Sequence, residues 1–238
     1  MSNTNNNANN AKKANKNINN PPYGVIFDMD GVLVDSMSAI VKSFNKLFKP
    51  YGDFTEKDMK TMNGKSLQDQ IPILNRKYGS NYSIEDFNEE LWLYELSEIR
   101  KNPLKENIRQ LLEDLRNNRI PMAVGTSSQK YRAHQMLEEM KIKEYFTAII
   151  TSECVEYHKP NPEVFLKAAE GIKMPPERCV VIEDSTAGIL AAKTGNFKSI
   201  GIASDYHAID EFTNADIALR NIEHLTYKVI NNLFNQNK

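Results

Sequence analysis

Two aspartates, Asp28 and Asp30, stand two residues apart where an apolar run ends, in the stretch VIFDMDGVLVDS over residues 25–36. Carboxylates this close repel each other, and each loses favourable hydration if it is buried. A second pair of acids, Glu183 and Asp184, follows another apolar run, Val-Val-Ile over residues 180–182. If both runs are neighbouring strands, four carboxyl groups meet at one edge of a sheet, and their repulsion must be offset.

Three interpretations of the first acid pair follow from its residues. Asp28 or Asp30 could cap a helix or form a turn, as aspartates at strand ends commonly do. A calcium loop of EF-hand type fails, because Leu33 stands where that loop requires glycine. A magnesium site would gather hard oxygen ligands around one small cation, whose charge offsets their repulsion. The acids after residue 182 favour this third interpretation, since they would converge on the same cation.

Two further segments carry groups suited to an anion. Thr126-Ser127-Ser128 follows an apolar run at a predicted helix N-terminus, where backbone N–H groups and the helix dipole favour phosphate. Lys159 lies in His-Lys-Pro-Asn-Pro, a loop made rigid by two prolines just before a predicted helix. A single lysine is commonly a solvated surface residue, but at this place it is also a candidate phosphate clamp.

Strands and helices alternate along the chain from Tyr23 onward. Short β-branched or apolar runs predict strands, and apolar stripes at helical spacing, such as Ile108, Leu111, Leu112 and Leu115, predict helices between them. This order predicts an α/β fold with a Rossmann-like parallel sheet. The predicted strands are Tyr23–Phe27, Pro121–Gly125, Ala148–Thr151, Cys179–Ile182, Ser199–Ile202 and Asp216–Leu219.

One interval breaks this alternation. About ninety residues separate the first strand from Pro121, and their patterns predict helices only, including Ser66–Lys77 and Ile84–Arg100 with Ser83 as N-cap. A simple crossover needs far fewer residues. We therefore predict an inserted helical cap domain at 37–102, above the sheet edge where ligands bind in open parallel sheets. The α/β core domain would comprise 21–36 and 103–238.

The composition limits location and partners. The 30 Lys and Arg residues nearly balance the 31 Asp and Glu residues, which gives no support for nucleic-acid binding. Residues 1–20 hold ten asparagines and predict a disordered tail without the apolar segment of a signal peptide. Two cysteines are too few for a disulfide framework. We expect a cytoplasmic protein, a monomer, that binds neither nucleic acid nor a membrane.

Four motifs, in order and spacing, resemble those of the haloacid dehalogenase superfamily. They are DMDGVLVDS, the Thr-Ser-Ser stretch, KPNPEVF and VIEDSTAGILAAKTG. The resemblance covers about residues 23–225, and the helical insertion resembles the C1-capped branch that includes β-phosphoglucomutase and pseudouridine-5′-phosphatase. It implies an Mg²⁺-dependent phosphatase acting on a small phosphomonoester: a sugar, polyol or nucleoside monophosphate.

The resemblance also implies a role for each matching residue. Asp28 would attack phosphorus and form an aspartyl-phosphate. Asp30 would protonate the leaving alkoxide and then deprotonate the attacking water. Mg²⁺ would be held by the carboxylates of Asp28 and Asp184 and by the main-chain carbonyl of Asp30. Glu183 would either bind the metal directly or hydrogen-bond to one of its ligands.

The phosphoryl oxygens would be held by three residues of the second and third motifs. The resemblance assigns them to Thr126, the backbone amide of Ser127 and Lys159. In the cap, MNGKSL over residues 62–67 is similar to the loop of eukaryotic relatives that hydrolyse pseudouridine 5′-phosphate or glycerol phosphate. Lys65 would then touch the leaving group, although a solvated lysine at a helix N-terminus explains it equally well.

Three alternatives to a phosphatase fit the sequence less well. A dehalogenase is disfavoured by Asp30, since a halide leaving group needs no proton. A β-phosphoglucomutase-type phosphotransferase is the alternative function, but Ile40 stands where such mutases carry histidine, and residues 61–64 offer no arginine for a second phosphate. A non-catalytic binding module with this fold is disfavoured because every catalytic position is filled.

Overall fold

Six strands form one sheet in which every neighbouring pair is parallel, in the order β3-β2-β1-β4-β5-β6. The computed structural model describes residues 21–55, 58, 67–101, 104, 106–204 and 207–235. The strand bounds are β1 Gly24–Phe27, β2 Met122–Gly125, β3 Ala148–Ile150, β4 Cys179–Glu183, β5 Lys198–Ile202 and β6 Ile217–Leu219.

Eight α-helices lie within the described residues. Their bounds are α1 Ser36–Phe48, α2 Leu67–Tyr78, α3 Ile84–Lys101, α4 Glu106–Asn117, α5 Lys130–Glu139, α6 Glu163–Gly171, α7 Thr186–Thr194 and α8 Tyr227–Asn235. None of the described helices is both long and apolar enough to cross a membrane.

Strand β1 lies at the centre of the sheet and is buried on both faces. Because side chains alternate along a strand, Val25 and Phe27 belong to a large apolar cluster on one face, and Ile26 belongs to a second cluster on the other. Helices on both faces cover the sheet, which explains why its strands read as continuous apolar runs. The chain passes from β1 to β2 and β3 on one side, and β4 lies on the other side of β1. This reversal of strand order beside β1 is where such sheets bind ligands.

The helices α1, α2 and α3, which lie between β1 and α4 in the sequence, share a separate apolar cluster. Phe44 and Phe48 of α1 pack against Phe87 of α3, with ring centroids 5.3 and 5.6 Å apart. The carboxylate of Asp35 caps α1 by accepting from the Ser38 amide. Ser83 caps α3 as predicted, since its Oγ accepts from the backbone amide three residues on at 3.0 Å.

The sequence-based fold prediction is confirmed in its main features. All six predicted strands exist, each within one residue of its predicted bounds, and the sheet is parallel. The elements found among the described residues between β1 and β2 are all helices. The predicted helices at 66–77 and 84–100 are α2 and α3. The domain boundaries at 36/37 and 102/103 stay predictions, and the predicted tail, residues 1–20, lies outside the described residues.

Candidate active site

The predicted site residues meet at the carboxyl ends of three adjacent strands. Asp28 follows β1, Thr126 follows β2, and Glu183 ends β4. Hydrogen bonds fix these ends: the Asp28 amide donates to the Ile182 carbonyl at 2.9 Å, and the Thr126 amide donates to the Ile150 carbonyl at 3.0 Å. All three side chains are buried. Parallel register alone therefore brings together residues that are far apart in sequence.

Lys159 supplies positive charge at the centre of this group. Its Nζ lies 2.5 Å from Oδ1 of Asp28 and 2.7 Å from Oε1 of Glu183, and it also donates to the Gly125 carbonyl at 3.1 Å. Only 7 % of the lysine side chain is exposed. Burial lowers the pKa of Lys159, but the carboxylates of Asp28 and Glu183 raise it by a larger amount. The net shift is upward, so the ammonium stays charged. The alternative of a solvated surface lysine is therefore wrong.

A network of backbone hydrogen bonds holds the loop that carries Lys159. Oε2 of Glu163, in the first turn of α6, accepts from the amides of Glu156 and Tyr157 at 3.0 and 2.8 Å. The side-chain oxygen of Asn161 accepts from the Glu163 amide at 3.0 Å. The loop is thus tied to the start of α6 on both sides of the lysine.

Two glycines make room for the acids at the sheet edge. Gly188, in the first turn of α7, lies so close to Glu183 that a Cβ there would meet Oε1 at 1.8 Å. Gly31 has φ of +77°, and a Cβ would meet Oδ2 of Asp184 at 1.7 Å. Glu183 is also held by Ser185, whose amide and hydroxyl both donate to Oε2 at 2.8 Å.

Lys159 does not fully offset the cost of burying the carboxyl groups of this cluster. Burial raises the pKa of Asp28 to about 8; Lys159 opposes this shift, while Glu183 and Asp30 add to it. Burial and the neighbouring Asp28 likewise raise the pKa of Asp184 to about 9. Such raised values identify a site that would gain stability from a further cation.

Asp30 lies in a different environment from Asp28. The guanidinium of Arg132, on α5, holds its carboxylate with two hydrogen bonds, Nη2 to Oδ1 at 2.9 Å and Nη1 to Oδ2 at 3.0 Å. The hydroxyl of Ser128 donates to Oδ2 at 2.6 Å. Burial raises the pKa of Asp30, but Arg132 and Ser128 outweigh it and the net shift is downward. The same guanidinium also binds Glu95 on α3.

These groups line one cavity of about 410 Å³ between the sheet edge and α1. Its polar wall contains both acid pairs, Lys159 and Arg132, and its apolar wall contains Met37 and Ile40 of α1. The full lining is Asp28, Asp30, Ser36, Met37, Ile40, Thr126, Ser127, Ser128, Arg132, Lys159, Glu183, Asp184, Ser185 and His207.

The predicted site residues that the structure describes are thus all brought together. Asp28, Asp30, Thr126, Ser127, Lys159, Glu183 and Asp184 all line the cavity. Lys65 lies outside the described residues. Sequence reasoning missed Arg132, Glu95 and His207, which come from α5, α3 and the segment after β5. Arg132 lies on α5, six residues after Thr126, and it reaches Asp30 because of how α5 is oriented against the site. The sequence spacing alone does not predict this contact.

The carboxylate and carbonyl oxygens of the site suit a hard divalent cation, although they are not close enough together to coordinate one ion. Within the described part of the chain, no three acidic, histidine or cysteine side chains stand as close together as ligands of one metal ion. The oxygens of Asp28 and Glu183 are instead joined through Lys159. Carboxylate and carbonyl oxygens are the ligands that Mg²⁺ prefers, and burial raises the pKa values of Asp28 and Asp184, a shift that a cation bound beside them would oppose.

Comparisons with known proteins agree with this site. Residues 25–202 match the family model for haloacid dehalogenase-like hydrolases. A phosphorylated carbohydrates phosphatase of Thermotoga maritima is 32% identical over 179 residues, which span 74% of this chain and 82% of that protein. The fructose-1-phosphate phosphatase YqaB of Escherichia coli is 29% identical over 187 residues, 75% of this chain and 95% of that protein.

Solved structures show the same fold. The crystal structure of a β-phosphoglucomutase from Clostridium difficile superposes with a TM-score of 0.72 at 27% identity, covering 90% of this chain and 98% of that one. The family match covers most of the chain and includes all four motifs. The chain therefore belongs to the haloacid dehalogenase-like hydrolase family, and it is an enzyme of that hydrolase class.

Replacing Lys159 tests the charge balance of the site. We expect Lys159→Gln, without divalent cations, to lower the free energy of unfolding by about 3 kcal/mol, because it leaves Asp28 and Glu183 buried without their cation. Urea unfolding at neutral pH in EDTA measures this change.

Lys167→Gln is the matched control, since Lys167 pairs with Glu163 at 2.7 Å but is 42% exposed. It should cost less than about 1 kcal/mol. Equal losses in the two variants would contradict the assigned role of Lys159.

Proposed function

We propose that this protein is a phosphatase that hydrolyses a small phosphomonoester through a phosphoryl group carried on Asp28. The observation that carries the proposal is the position of Asp28, buried at the end of the central strand with the Lys159 ammonium 2.5 Å from its Oδ1. The substrate would be a sugar, polyol or nucleoside monophosphate. The names of the two relatives, phosphatases of phosphorylated carbohydrates and of fructose 1-phosphate, support this class.

The chemistry divides between the two aspartates. An oxygen of Asp28 attacks phosphorus, a P–O bond forms to the carboxylate, and the ester P–O bond breaks. For this step Asp30 must hold a proton against the Arg132 and Ser128 contacts that lower its pKa, and it gives that proton to the departing alkoxide. In the second half of the reaction Asp30 takes a proton from water, the water oxygen bonds to phosphorus, and the bond to Asp28 breaks. Inorganic phosphate leaves, and both aspartates return to their starting states.

Three groups around Asp28 would bind the phosphoryl oxygens. Thr126, Ser127 and Lys159 all line the cavity. The groups that would act are the Thr126 hydroxyl, the Ser127 amide and the Lys159 ammonium. Because these groups are fixed before substrate arrives, they stabilise developing charge without reorganisation.

A magnesium ion fits the donor set of this site. Asp28, the main-chain carbonyl of Asp30, and Asp184 would hold it, with Glu183 as a further candidate ligand. When bound, Mg²⁺ would supply positive charge that offsets the carboxylates and polarises the phosphoryl oxygens. Gly31, against the Asp184 carboxylate, keeps that side chain free of a Cβ clash at the sheet edge.

The enclosing helices indicate a small substrate. Helix α1 contributes Ser36, Met37 and Ile40 to the wall of the cavity, whose volume of about 410 Å³ suits a small substrate. Met37 and Ile40 give the leaving-group side of the described wall an apolar character. A contact of Lys65 with the leaving group and a cytoplasmic location stay predictions.

Replacing Asp28 tests the proposal most simply. We expect Asp28→Asn to remove nearly all phosphate release from a panel of sugar, polyol and nucleoside monophosphates, because an amide has a similar shape but is a poor nucleophile. Thermal unfolding by circular dichroism serves as the control for the fold. Wild-type turnover in this variant would exclude the aspartyl-phosphate mechanism.

Metal dependence is the second expectation for this function. Activity should require Mg²⁺, and Ca²⁺ should inhibit, because its larger and looser coordination shell moves Asp28 out of line for attack. Phosphate release is measured after EDTA treatment and after addition of each metal. Full activity in excess EDTA would show that the reaction needs no metal, and it would contradict the proposed roles of Glu183 and Asp184 as metal ligands.

A mutase is the second candidate, supported by the fold of the C. difficile β-phosphoglucomutase. A mutase must grip a second phosphate, yet Ile40 is apolar and lines the cavity. We therefore expect free phosphate from β-glucose 1-phosphate, with no dependence on a trace of glucose 1,6-bisphosphate. Following glucose 6-phosphate and phosphate together decides the question. Rapid formation of glucose 6-phosphate with little free phosphate would establish the mutase instead.

A further inference from the structure

One histidine, His207, lines the catalytic cavity from the segment that follows β5. None of the four motifs contains it, and the reaction proposed for Asp28 and Asp30 does not use it. Arg132 belongs to the helix after β2, so β1 and β4 lie between that residue and His207 in the sheet order. The histidine therefore forms the end of the cavity that is farthest from the phosphoryl-binding groups after β2.

The backbone around His207 is fixed by a tight turn. The Ser204 amide donates to the His207 carbonyl at 2.9 Å, and the His207 amide donates to Oγ of Ser204 at 3.3 Å. A short 3₁₀ helix, Ile209–Phe212, follows, and its Phe212 ring is buried against β5, where a Cβ on Gly201 would lie 2.6 Å from Cγ of that ring. The turn and the buried ring hold His207 at a set place beside the end of β5.

A carboxylate fixes the orientation of the imidazole. Nδ1 of His207 lies 3.0 Å from Oε2 of Glu211, and because a carboxylate only accepts hydrogen bonds, Nδ1 carries the proton. The His207 ring also contacts the Phe212 ring, with 6.4 Å between the ring centroids. The position and the tautomer of the ring are thus set, and Nε2 is the nitrogen left for a ligand.

Capping of the 3₁₀ helix does not by itself explain this pair of side chains. Oε1 of Glu211 accepts from the Ala208 amide at 2.8 Å, a bond that needs no histidine. Glu211 is 41% exposed, and an ion pair at such a surface contributes little stability. The His207 side chain is only 22% exposed and lines the cavity, so its role is better explained by what the cavity binds.

Most other polar side chains on the described wall of the cavity already have a role. The four carboxyl groups and the three phosphoryl-binding residues belong to the proposed reaction. The polar side chains that hold the carboxylates in place are Ser128, Arg132 and Ser185. Apart from His207, the described wall then leaves Ser36, whose side chain is fully buried at the start of α1. His207 is therefore the polar group best placed to meet the leaving group.

We propose that His207 is a specificity residue, whose Nε2 binds a hydroxyl group of the leaving group. This inference rests on the proposed phosphatase function. A hydroxyl group can donate to a neutral imidazole and accept from a charged one, so it suits Nε2 in either state. Met37 and Ile40 supply no hydrogen bonds from their side of the wall. The substrates selected in this way would be sugar and polyol phosphates rather than esters without hydroxyl groups.

The strand order sets the length of leaving group that could reach His207. Strand β5 is two strands from β1, and since neighbouring strands lie about 4.8 Å apart, the end of β5 is about 10 Å from Asp28 along the sheet edge. A phosphoryl group bound at Asp28 covers part of this distance. A six-carbon chain is long enough to cover the rest.

The test compares two phosphate esters of equal chain length. Sorbitol 6-phosphate carries hydroxyl groups along six carbon atoms, and hexyl phosphate carries none. Phosphate release with Mg²⁺ gives kcat/KM for each ester, and the ratio of the two values measures selectivity for hydroxyl groups. We expect the wild-type protein to prefer sorbitol 6-phosphate.

Two substitutions separate the two nitrogens of the imidazole. The side-chain amide of asparagine reaches only as far as the place of Nδ1, whereas that of glutamine reaches the place of Nε2. We expect His207→Asn to lower the selectivity about tenfold, roughly the contribution of one hydrogen bond, and His207→Gln to lower it less. His224→Asn, at an exposed histidine that does not line the cavity, is the matched control and should leave the selectivity unchanged.

The outcomes separate this inference from the function on which it rests. A wild-type protein that releases phosphate from neither ester nor from the wider panel of monophosphates would overturn both. An active wild type that does not prefer sorbitol 6-phosphate, or whose selectivity survives His207→Asn, would overturn the role of His207 alone. Equal losses in His207→Asn and His207→Gln would also overturn it, since the loss would not depend on Nε2. Thermal unfolding of each variant shows that the compared proteins are folded.

Discussion

The Lys159 ammonium, placed between the carboxylates of Asp28 and Glu183, is the interaction on which the rest of the site depends. Without it, two buried carboxylates at adjacent strand ends would face each other with no cation between them. Burial raises the pKa of Asp28 to about 8 although Lys159 opposes the shift, so the lysine does not fully offset the cost of burying this carboxylate. A site of this kind is prepared to accept further positive charge, and a phosphoryl oxygen could compete for the same ammonium.

The surrounding structure is arranged to maintain this balance. Parallel pairing of β1 with β2 and β4 places three strand ends side by side, and the bonds from Glu163 to the loop before α6 direct Lys159 toward them. Gly188 leaves space for the Glu183 carboxylate. On the opposite side of the cavity, Arg132 gives Asp30 a separate cation. The two neighbouring aspartates therefore have pKa values shifted in opposite directions, upward for Asp28 and downward for Asp30. A cation bound beside Asp28 would lower its pKa and favour the ionised form that a nucleophile needs.

The order of the strands and the meeting of the acids at one sheet edge could be predicted from sequence, because short apolar runs bounded by polar residues are typical of strands in a buried parallel sheet. The acids after residues 27 and 182 could be placed together once both runs were taken as strands ending at one edge. Arg132 and Glu95 could not be found in this way, since each looks like an ordinary charged residue on a helix surface. Their contact depends on how α3 packs against α5, which no local pattern encodes. The bond of Lys159 to Glu183 was likewise unpredicted, because a loop's direction is set by tertiary contacts.

The central claim is that Asp28 carries the phosphoryl group, and its most direct test is to locate that group on the chain. The Asp30→Asn variant should react with p-nitrophenyl phosphate, whose leaving group needs no proton, and then stall because no base activates water. After an acid quench, mass spectrometry of the digested protein should find the peptide containing Asp28 heavier by one phosphoryl group. Repeated release of p-nitrophenol with Asp28 unmodified, or a phosphoryl group on another residue, would contradict the account.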